Sequence, residues 1–136
     1  VWGGRGGVMA AAGRGAKVAG GTTTGILPGS DPAEANPWVD YPICTGLGQA
    51  RNAVVVASGI GVVAVGGGFG PLSEIGLALK LGKRVAAIRS WDLDPARVQR
   101  YAAGDAAFVT AVTPEDAVRL ALGLNTRAGA PPSGHG

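Results

Sequence analysis

The sequence predicts an α/β protein with a Rossmann-like, doubly wound parallel sheet. Short runs rich in valine and alanine alternate along the chain with helical segments, and glycine-rich turns join them. The composition agrees, because 46% of the 136 residues are hydrophobic, only 5% are aromatic and 25 are glycine. These glycines show no three-residue period, which excludes a collagen-like chain.

The first half of the chain predicts the start of such a fold. Val1 and Trp2 are typical of the end of a strand, and a glycine turn and a helix to about residue 19 follow. Because an α/β unit rarely begins at the end of a strand, we expect a preceding strand and helix to be missing. A β-branched strand at 22–27 leads into a long polar, proline-containing loop at 30–45. Residues 46–58 fit either a strand or a buried helix.

The remaining elements continue the alternation of strands and helices. We expect strands at 60–65, 85–88 and 106–110, helices at 71–81 and 113–122, and a loop with one helical turn at 90–101. Thr113 is the expected N-cap of the last helix. One nucleotide-binding domain is expected over 1–124, followed by a disordered Gly/Pro/Ser-rich tail over 125–136.

The charged residues, the cysteine and the histidine exclude several classes of site. The net charge is +3, but the basic residues are scattered, so we expect no nucleic-acid partner. Cys44 is the only cysteine, which excludes a Cys-based metal site. The only histidine, His135, lies in the tail that is expected to be disordered, which excludes Ser-His-Asp, Cys-His and histidine-metal chemistry. No apolar run is long enough to span a bilayer. We therefore expect a cytoplasmic protein with no metal, no cofactor and no membrane partner.

The most informative segment is 62–74, where an apolar strand runs into four glycines within five residues. Pro71 then opens a helix. Such a turn leaves backbone N–H groups uncovered at a helix N-terminus, where a phosphate can bind. The alternative is a tight strand-to-helix connection without a ligand. A glycine turn at 3–7 and the loop at Pro28 and Gly29 are expected to converge with it beyond the carboxyl ends of the strands.

Two charged residues accompany these turns. Glu74 is expected in the first helical turn, where it acts as a general acid or base or complements the helix dipole. Arg51 is the only charge between Asp40 and Glu74. It either meets an anion or projects from a helix end into water, and the residues alone leave both alternatives open.

These segments resemble the motifs of the Lonely Guy (LOG) family, long described as lysine decarboxylase-like. GGGFGPLSE at 66–74 resembles the PGGxGTxxE signature, and GLGQARN at 46–52 resembles the arginine-bearing segment. GGRGGVMAAAGRGA at 3–16 resembles the family's GGxxGxMxxxxxGA segment. The sequence of residues 25–46 is most similar to an uncharacterised branch of this family, to which the molybdenum-cofactor carrier proteins are also similar.

The resemblance implies a homodimer that binds a phosphate-bearing small molecule, either a nucleoside 5′-monophosphate or a pterin phosphate. In active LOG enzymes the motif Arg and Glu hydrolyse the N-glycosidic bond of a nucleoside monophosphate, giving the base and ribose 5-phosphate. By position these catalytic residues are Arg51 and Glu74. The phosphate- and nucleotide-binding positions carried over with them are Gly4, Gly6, Gly7, Pro28, Gly29, Gly67, Gly68, Phe69, Gly70 and Pro71.

Three departures from the signature bear on activity. Gly66 replaces its proline, Pro71 replaces its threonine, and Asn52 stands where active enzymes usually carry lysine. The loss of the threonine and the lysine favours a non-catalytic carrier of a phosphorylated heterocycle such as the molybdenum cofactor. Retention of Arg51 and Glu74 favours the phosphoribohydrolase, which sequence analysis ranks first. Lysine decarboxylation is rejected, because the lysines are expected away from the crevice, at Lys17, Lys80 and Lys83.

Overall fold

A computed structural model describes residues 1–3 and 7–124 of the chain. The chain divides into two compact units, Val1–Gly59 and Ile60–Gly136, and each has its own sheet. Both sheets are parallel and are flanked by helices, which confirms the predicted Rossmann-like α/β class. The predicted tail at 125–136 lies outside the described residues. Within the described part, no helix is both long and apolar enough to cross a membrane.

The first unit contains a two-stranded parallel sheet. Its elements, in chain order, are α1 (Val8–Val18), β1 (Thr24–Leu27), β2 (Tyr41–Cys44) and α2 (Arg51–Ser58), with short 3₁₀ turns at Pro32–Glu34 and Gly48–Ala50. Thr24 pairs with Tyr41 and Leu27 with Cys44. Trp2 forms a parallel bridge beside β1 at Gly25, which agrees with the extended conformation predicted for the first residues.

Two expectations for the first unit are decided by the structure. The prediction of a loop over 30–45 was wrong at its C-terminal end, because residues 41–44 form β2. All four residues of β2 are exposed and one is Pro42, so the strand has neither a buried face nor the composition that would predict it. The ambiguous segment 46–58 is resolved as the helix α2.

The second unit contains a three-stranded parallel sheet in the order β3-β4-β5. Its elements are β3 (Gly61–Val65), α3 (Phe69–Lys80), β4 (Arg84–Ile88), α4 (Pro95–Tyr101), β5 (Ala107–Thr110) and α5 (Pro114–Ala121). The central strand β4 is buried from its second residue to its last, as expected for the middle of a parallel sheet. The sheet and its helices share an aliphatic core that includes Ala64, Ile75, Ala78, Val85, Ala86, Ala87 and Ala117.

Capping side chains set the helix starts in this unit. The hydroxyl of Thr113 accepts a hydrogen bond from the Asp116 N–H at 3.2 Å, which confirms the predicted N-cap of α5. The carboxylate of Asp94 accepts from the Ala96 N–H at 3.1 Å and begins α4. The prediction of a single helical turn at 90–101 was wrong, because a capped start followed by proline nucleates a helix of seven residues.

Candidate functional site

The second glycine turn (residues 66–70) joins β3 to α3 in the second unit. Gly66 has a φ of 92°, a conformation that strongly favours glycine, and Gly68 is the N-cap of α3. The amides of Phe69 and Gly70 lie in the first helical turn, where a backbone donor has no intrahelical acceptor. Pro71 is the third helical residue and therefore removes a donor that the helix itself does not use.

The loop that follows β4 holds this turn by its carbonyl groups. The Ser90 hydroxyl donates to the Gly66 carbonyl at 2.7 Å, and the Trp91 indole N–H donates to the Gly68 carbonyl at 2.9 Å. In a planar trans peptide, a carbonyl and the following N–H point in opposite directions. The N–H groups of Gly67 and Phe69 therefore point away from the side chains that hold the turn, which is an arrangement that suits an anion.

Two glycines of this turn are not required by the fold. A Cβ atom built on Gly67 or Gly70 meets no described atom within 4 Å, and neither residue has a positive φ. Packing and backbone conformation thus both permit a side chain at these positions. A glycine that the fold does not need leaves room for a ligand to approach the backbone closely.

Glu74 lies farther along α3 than the sequence predicts. Because α3 begins at Phe69, Glu74 is the sixth helical residue and belongs to the second turn, so the expected place in the first turn was wrong. The attraction of a carboxylate to the helix dipole is confined to the first turn, which removes the dipole-complementing alternative. Glu74 is half-buried. Its role as a general acid or base stays a prediction.

Sequence analysis missed the loop 89–91. Ligands of parallel sheets bind beyond the carboxyl ends of the strands, and that rule applies to β4 as well as to the three loops selected from glycine content. Arg89 directly follows β4, is exposed, and has a φ of 48°, which is uncommon for a residue with a side chain. Such backbone strain is concentrated at functional sites.

An aromatic pair lies at the second glycine turn. The rings of Phe69 and Trp91 are stacked, with centroids 5.9 Å apart and an interplanar angle of 28°. Phe69 is 79% exposed. Sequence analysis selected Phe69 only as part of the glycine motif, and no signal in the motif indicated its partner 22 positions away.

Arg51 is the first residue of α2 and lies in the first unit. Its Nη1 donates to the carbonyls of Gly3 and Ile26, each at 2.8 Å, and the residue is half-buried. This structural role was contained in neither predicted alternative. A Cβ atom at Gly3 would overlap the Arg51 guanidinium and the Met9 sulfur, so Gly3 is required for the guanidinium to reach the backbone. The catalytic role of Arg51 stays a prediction.

The first glycine turn (residues 3–7) is described only in part. Gly4 and Gly6 lie outside the described residues. Gly7 is the N-cap of α1 and has a φ of 68°.

The loop at Pro28 and Gly29 is fastened to the loop that follows β2. The Pro28 carbonyl accepts from the Gly48 N–H at 2.9 Å, and the Gly29 carbonyl accepts from the Gly46 N–H at 3.0 Å. A Cβ at Gly29 would lie 2.8 Å from a carboxylate oxygen of Glu34. A negative charge at that distance disfavours a phosphate beside Gly29.

Asp40 ties the start of the same sheet to α1. Its carboxylate accepts from the Thr23 N–H at 2.8 Å and forms an ion pair with Lys17 at 2.9 Å. The hydrogen bond from Lys17, followed by the one from the Thr23 backbone, lowers the pKa of Asp40 below its ordinary value of 3.8. In the described part of the chain, no group of three or more His, Cys, Asp or Glu residues could hold a metal ion.

Comparison with known proteins identifies similar sequences and structures. Residues 1–118 match the model of the SLOG cluster4 family. An uncharacterized protein of Archaeoglobus fulgidus is 47% identical over 87 residues, which are 64% of this chain and 57% of that protein. The match thus spans little more than half the length of this relative.

Two solved structures are similar over most of the chain. The molybdenum cofactor binding protein of the phototrophic bacterium Rippkaea orientalis superposes with a TM-score of 0.72 at 38% identity, covering 87% of this chain and 72% of that one. The molybdenum cofactor carrier protein of Chlamydomonas reinhardtii superposes with a TM-score of 0.63 at 39% identity, covering 86% of this chain and 67% of that one.

Proposed function

The chain belongs to the SLOG cluster4 family, and on this basis we propose that it binds and carries a phosphorylated heterocycle, such as a pterin phosphate of the molybdenum-cofactor type, without hydrolysing it. This was the second-ranked prediction from the sequence. Two similar structures are described as molybdenum cofactor binding and carrier proteins, which supports the carrier over the hydrolase.

The proposal depends above all on the open space beside Gly67 and Gly70. The protein's own side chains hold the carbonyls of Gly66 and Gly68, so the amides of Gly67 and Phe69, which point the opposite way, are available to a phosphate. Arg89 adds a cation in the loop that fastens this turn. The described residues of this turn and its neighbouring loop thus suit a phosphate.

The phosphoribohydrolase is the second candidate, because Arg51 and Glu74 are both retained. Three features weigh against it. Arg51 already serves two backbone carbonyls, Pro71 supplies neither the hydroxyl nor the amide of the signature threonine, and Asn52 supplies no positive charge.

The test compares Gly67→Ala with a matched control, Gly76→Ala. Both glycines have room for a Cβ, but Gly76 lies within α3, away from the turn. Affinities for ribose 5-phosphate, GMP and 6-hydroxymethylpterin phosphate would be measured by isothermal titration calorimetry. We expect Gly67→Ala to weaken the binding of all three ligands at least about tenfold, since a methyl group lengthens the hydrogen bonds from the turn to the phosphate. Gly76→Ala should bind them like the wild type.

The same samples separate a carrier from an enzyme. A carrier releases no free base from GMP over hours, as chromatography would show. Base release that Glu74→Gln abolishes would overturn the carrier and establish the hydrolase. Equal ligand affinity of the wild type and Gly67→Ala would show that the second glycine turn is not part of the binding site. The predicted homodimer is tested by light scattering on the same preparations.

A further inference from the structure

We infer that Phe69 and Trp91 form an aromatic platform on which the planar ring of the bound phosphate compound stacks. The inference rests on the proposed function, because it requires a phosphate at the second glycine turn. It adds the part of the site that distinguishes a heterocyclic phosphate from a simple sugar phosphate.

The geometry of the pair supports this role. One face of Phe69 meets Trp91, with ring centroids 5.9 Å apart, yet 79% of Phe69 remains exposed. Most of the ring surface not covered by Trp91 is therefore open to solvent. An aromatic ligand placed there would extend an existing stack by one ring, which aromatic side chains favour.

The platform is rigidly tied to the phosphate-binding backbone. Phe69 is the first residue of α3, so its own amide belongs to the turn that faces the anion. The Trp91 indole is fixed by its hydrogen bond to the Gly68 carbonyl, one residue earlier. A phosphate that meets these amides is bound within two residues of Phe69 in the chain, so the planar ring of the same ligand needs only a short linker to reach the Phe69 ring.

A singly exposed apolar residue is ordinary in proteins and by itself indicates nothing. Val112 and Ile60, at 86% and 81% exposure, are examples in this unit. Phe69 differs because it is an aromatic ring paired with a second ring, and because that second ring is anchored to the glycine turn. Base–aromatic stacking discriminates little among heterocycles, so the platform would accept a pterin or a purine.

The test compares two ligands that share a phosphate. Affinities for ribose 5-phosphate and for 6-hydroxymethylpterin phosphate would be measured for wild type, Phe69→Leu, Phe69→Tyr and a control, Tyr101→Leu. Tyr101 is 76% exposed in α4, so its substitution removes an exposed ring elsewhere in the unit. Because the backbone amide is kept, we expect Phe69→Leu to weaken binding of the pterin phosphate about five- to tenfold more than binding of ribose 5-phosphate. Phe69→Tyr and Tyr101→Leu should both retain wild-type affinities.

The outcomes separate this inference from the proposal beneath it. Equal losses for both ligands in Phe69→Leu would show that Phe69 acts through the turn and would overturn the platform. Unchanged affinity for both would overturn it as well, while leaving the phosphate site intact. Wild-type protein that binds neither ligand would overturn the proposed function and the platform with it.

Discussion

The two glycine turns of this chain share a sequence pattern but contain glycine for different reasons. In the first turn, Gly3 is buried, and a Cβ there would overlap Arg51 and Met9. In the second turn, Gly67 and Gly70 have open space around them and no unusual φ. Packing therefore explains the glycine at position 3, whereas it does not require glycine at positions 67 and 70.

The two units also differ in what stabilises them. Among the described residues, the buried hydrophobic side chains of the first unit are Ile26, Leu27 and Val56, while all the others belong to the second. The first unit also uses charged side chains on backbone groups, through Arg51 and Asp40, and the second unit has one comparable contact, from the Arg84 Nε to the Leu120 carbonyl at 2.9 Å. Because it buries few apolar side chains, the first unit depends more on this polar anchoring than the second unit does. Five substitutions test this contrast.

The largest expected effect is that of Arg51→Ala. The change leaves the carbonyls of Gly3 and Ile26 without their shared donor, and losing hydrogen bonds to a charged group should lower the free energy of unfolding by about 2–4 kcal/mol. Urea denaturation measures it, with Arg14→Ala on the exposed side of α1 as the matched control. If Arg51→Ala were as stable as the wild type, the anchoring role would be wrong and a role toward a ligand alone would remain.

The pair Gly3→Ala and Gly70→Ala tests the two turns directly. Gly3→Ala should lower the free energy of unfolding by about 1–3 kcal/mol, because the added methyl must displace the Arg51 guanidinium and Met9. Gly70→Ala should raise it by about 0.4–1 kcal/mol, because alanine restricts the unfolded chain and fits the helical backbone. Both are read from the same denaturation experiment. Equal destabilisation by the two variants would contradict the difference between the turns, namely that packing requires glycine at position 3 but not at position 70.

Acid should act on the first unit through Asp40. The folded-state pKa of this carboxyl is lowered, chiefly by Lys17, so its contribution to stability is complete above about pH 4 and is lost as the pH falls through the lowered pKa. The difference in unfolding free energy between wild type and Asp40→Asn should thus be constant near neutrality and shrink below about pH 4. Asp105→Asn, at an exposed position of the second unit, is the control. A difference that does not change with pH would contradict the anchoring role.

A small effect of the opposite sign to that of Arg51→Ala is expected for Arg89→Gly. Glycine tolerates the φ of 48° at this position, so the free energy of unfolding should rise by about 0.5–1 kcal/mol while affinity for ribose 5-phosphate falls. Arg97→Gly, within α4, should instead lower the free energy of unfolding by about 1 kcal/mol, because glycine disfavours a helix. Loss of stability in both variants would show that Arg89 is not strained.

Local sequence signals predicted the fold better than they predicted the site. The apolar run of β4, the glycines before α3 and the capping Thr113 each act within a few residues, so their patterns are visible in the chain. β2 escaped prediction because a strand with four exposed residues and a proline lacks the alternation that marks a buried face.

The contacts of the candidate site are long-range, which is why the sequence did not contain them. Arg51 binds carbonyls that lie 48 and 25 positions earlier in the chain, and a backbone carbonyl is the same at every residue. Trp91 reaches Gly68 across 23 positions in the same way. Sequence motifs thus identified the glycine turn, whereas the groups that hold it became visible only in three dimensions.

The hydrogen bond between Trp91 and Gly68 also has an optical consequence. The chain has three tryptophans, at positions 2, 38 and 91, and only the last belongs to the second unit. Replacing Trp2 and Trp38 by phenylalanine would leave a single indole whose N–H is bonded to the glycine turn itself. The emission of that indole would respond to any ligand that shifts the turn or stacks on its aromatic partner, so binding at this turn could be followed by fluorescence without an added label.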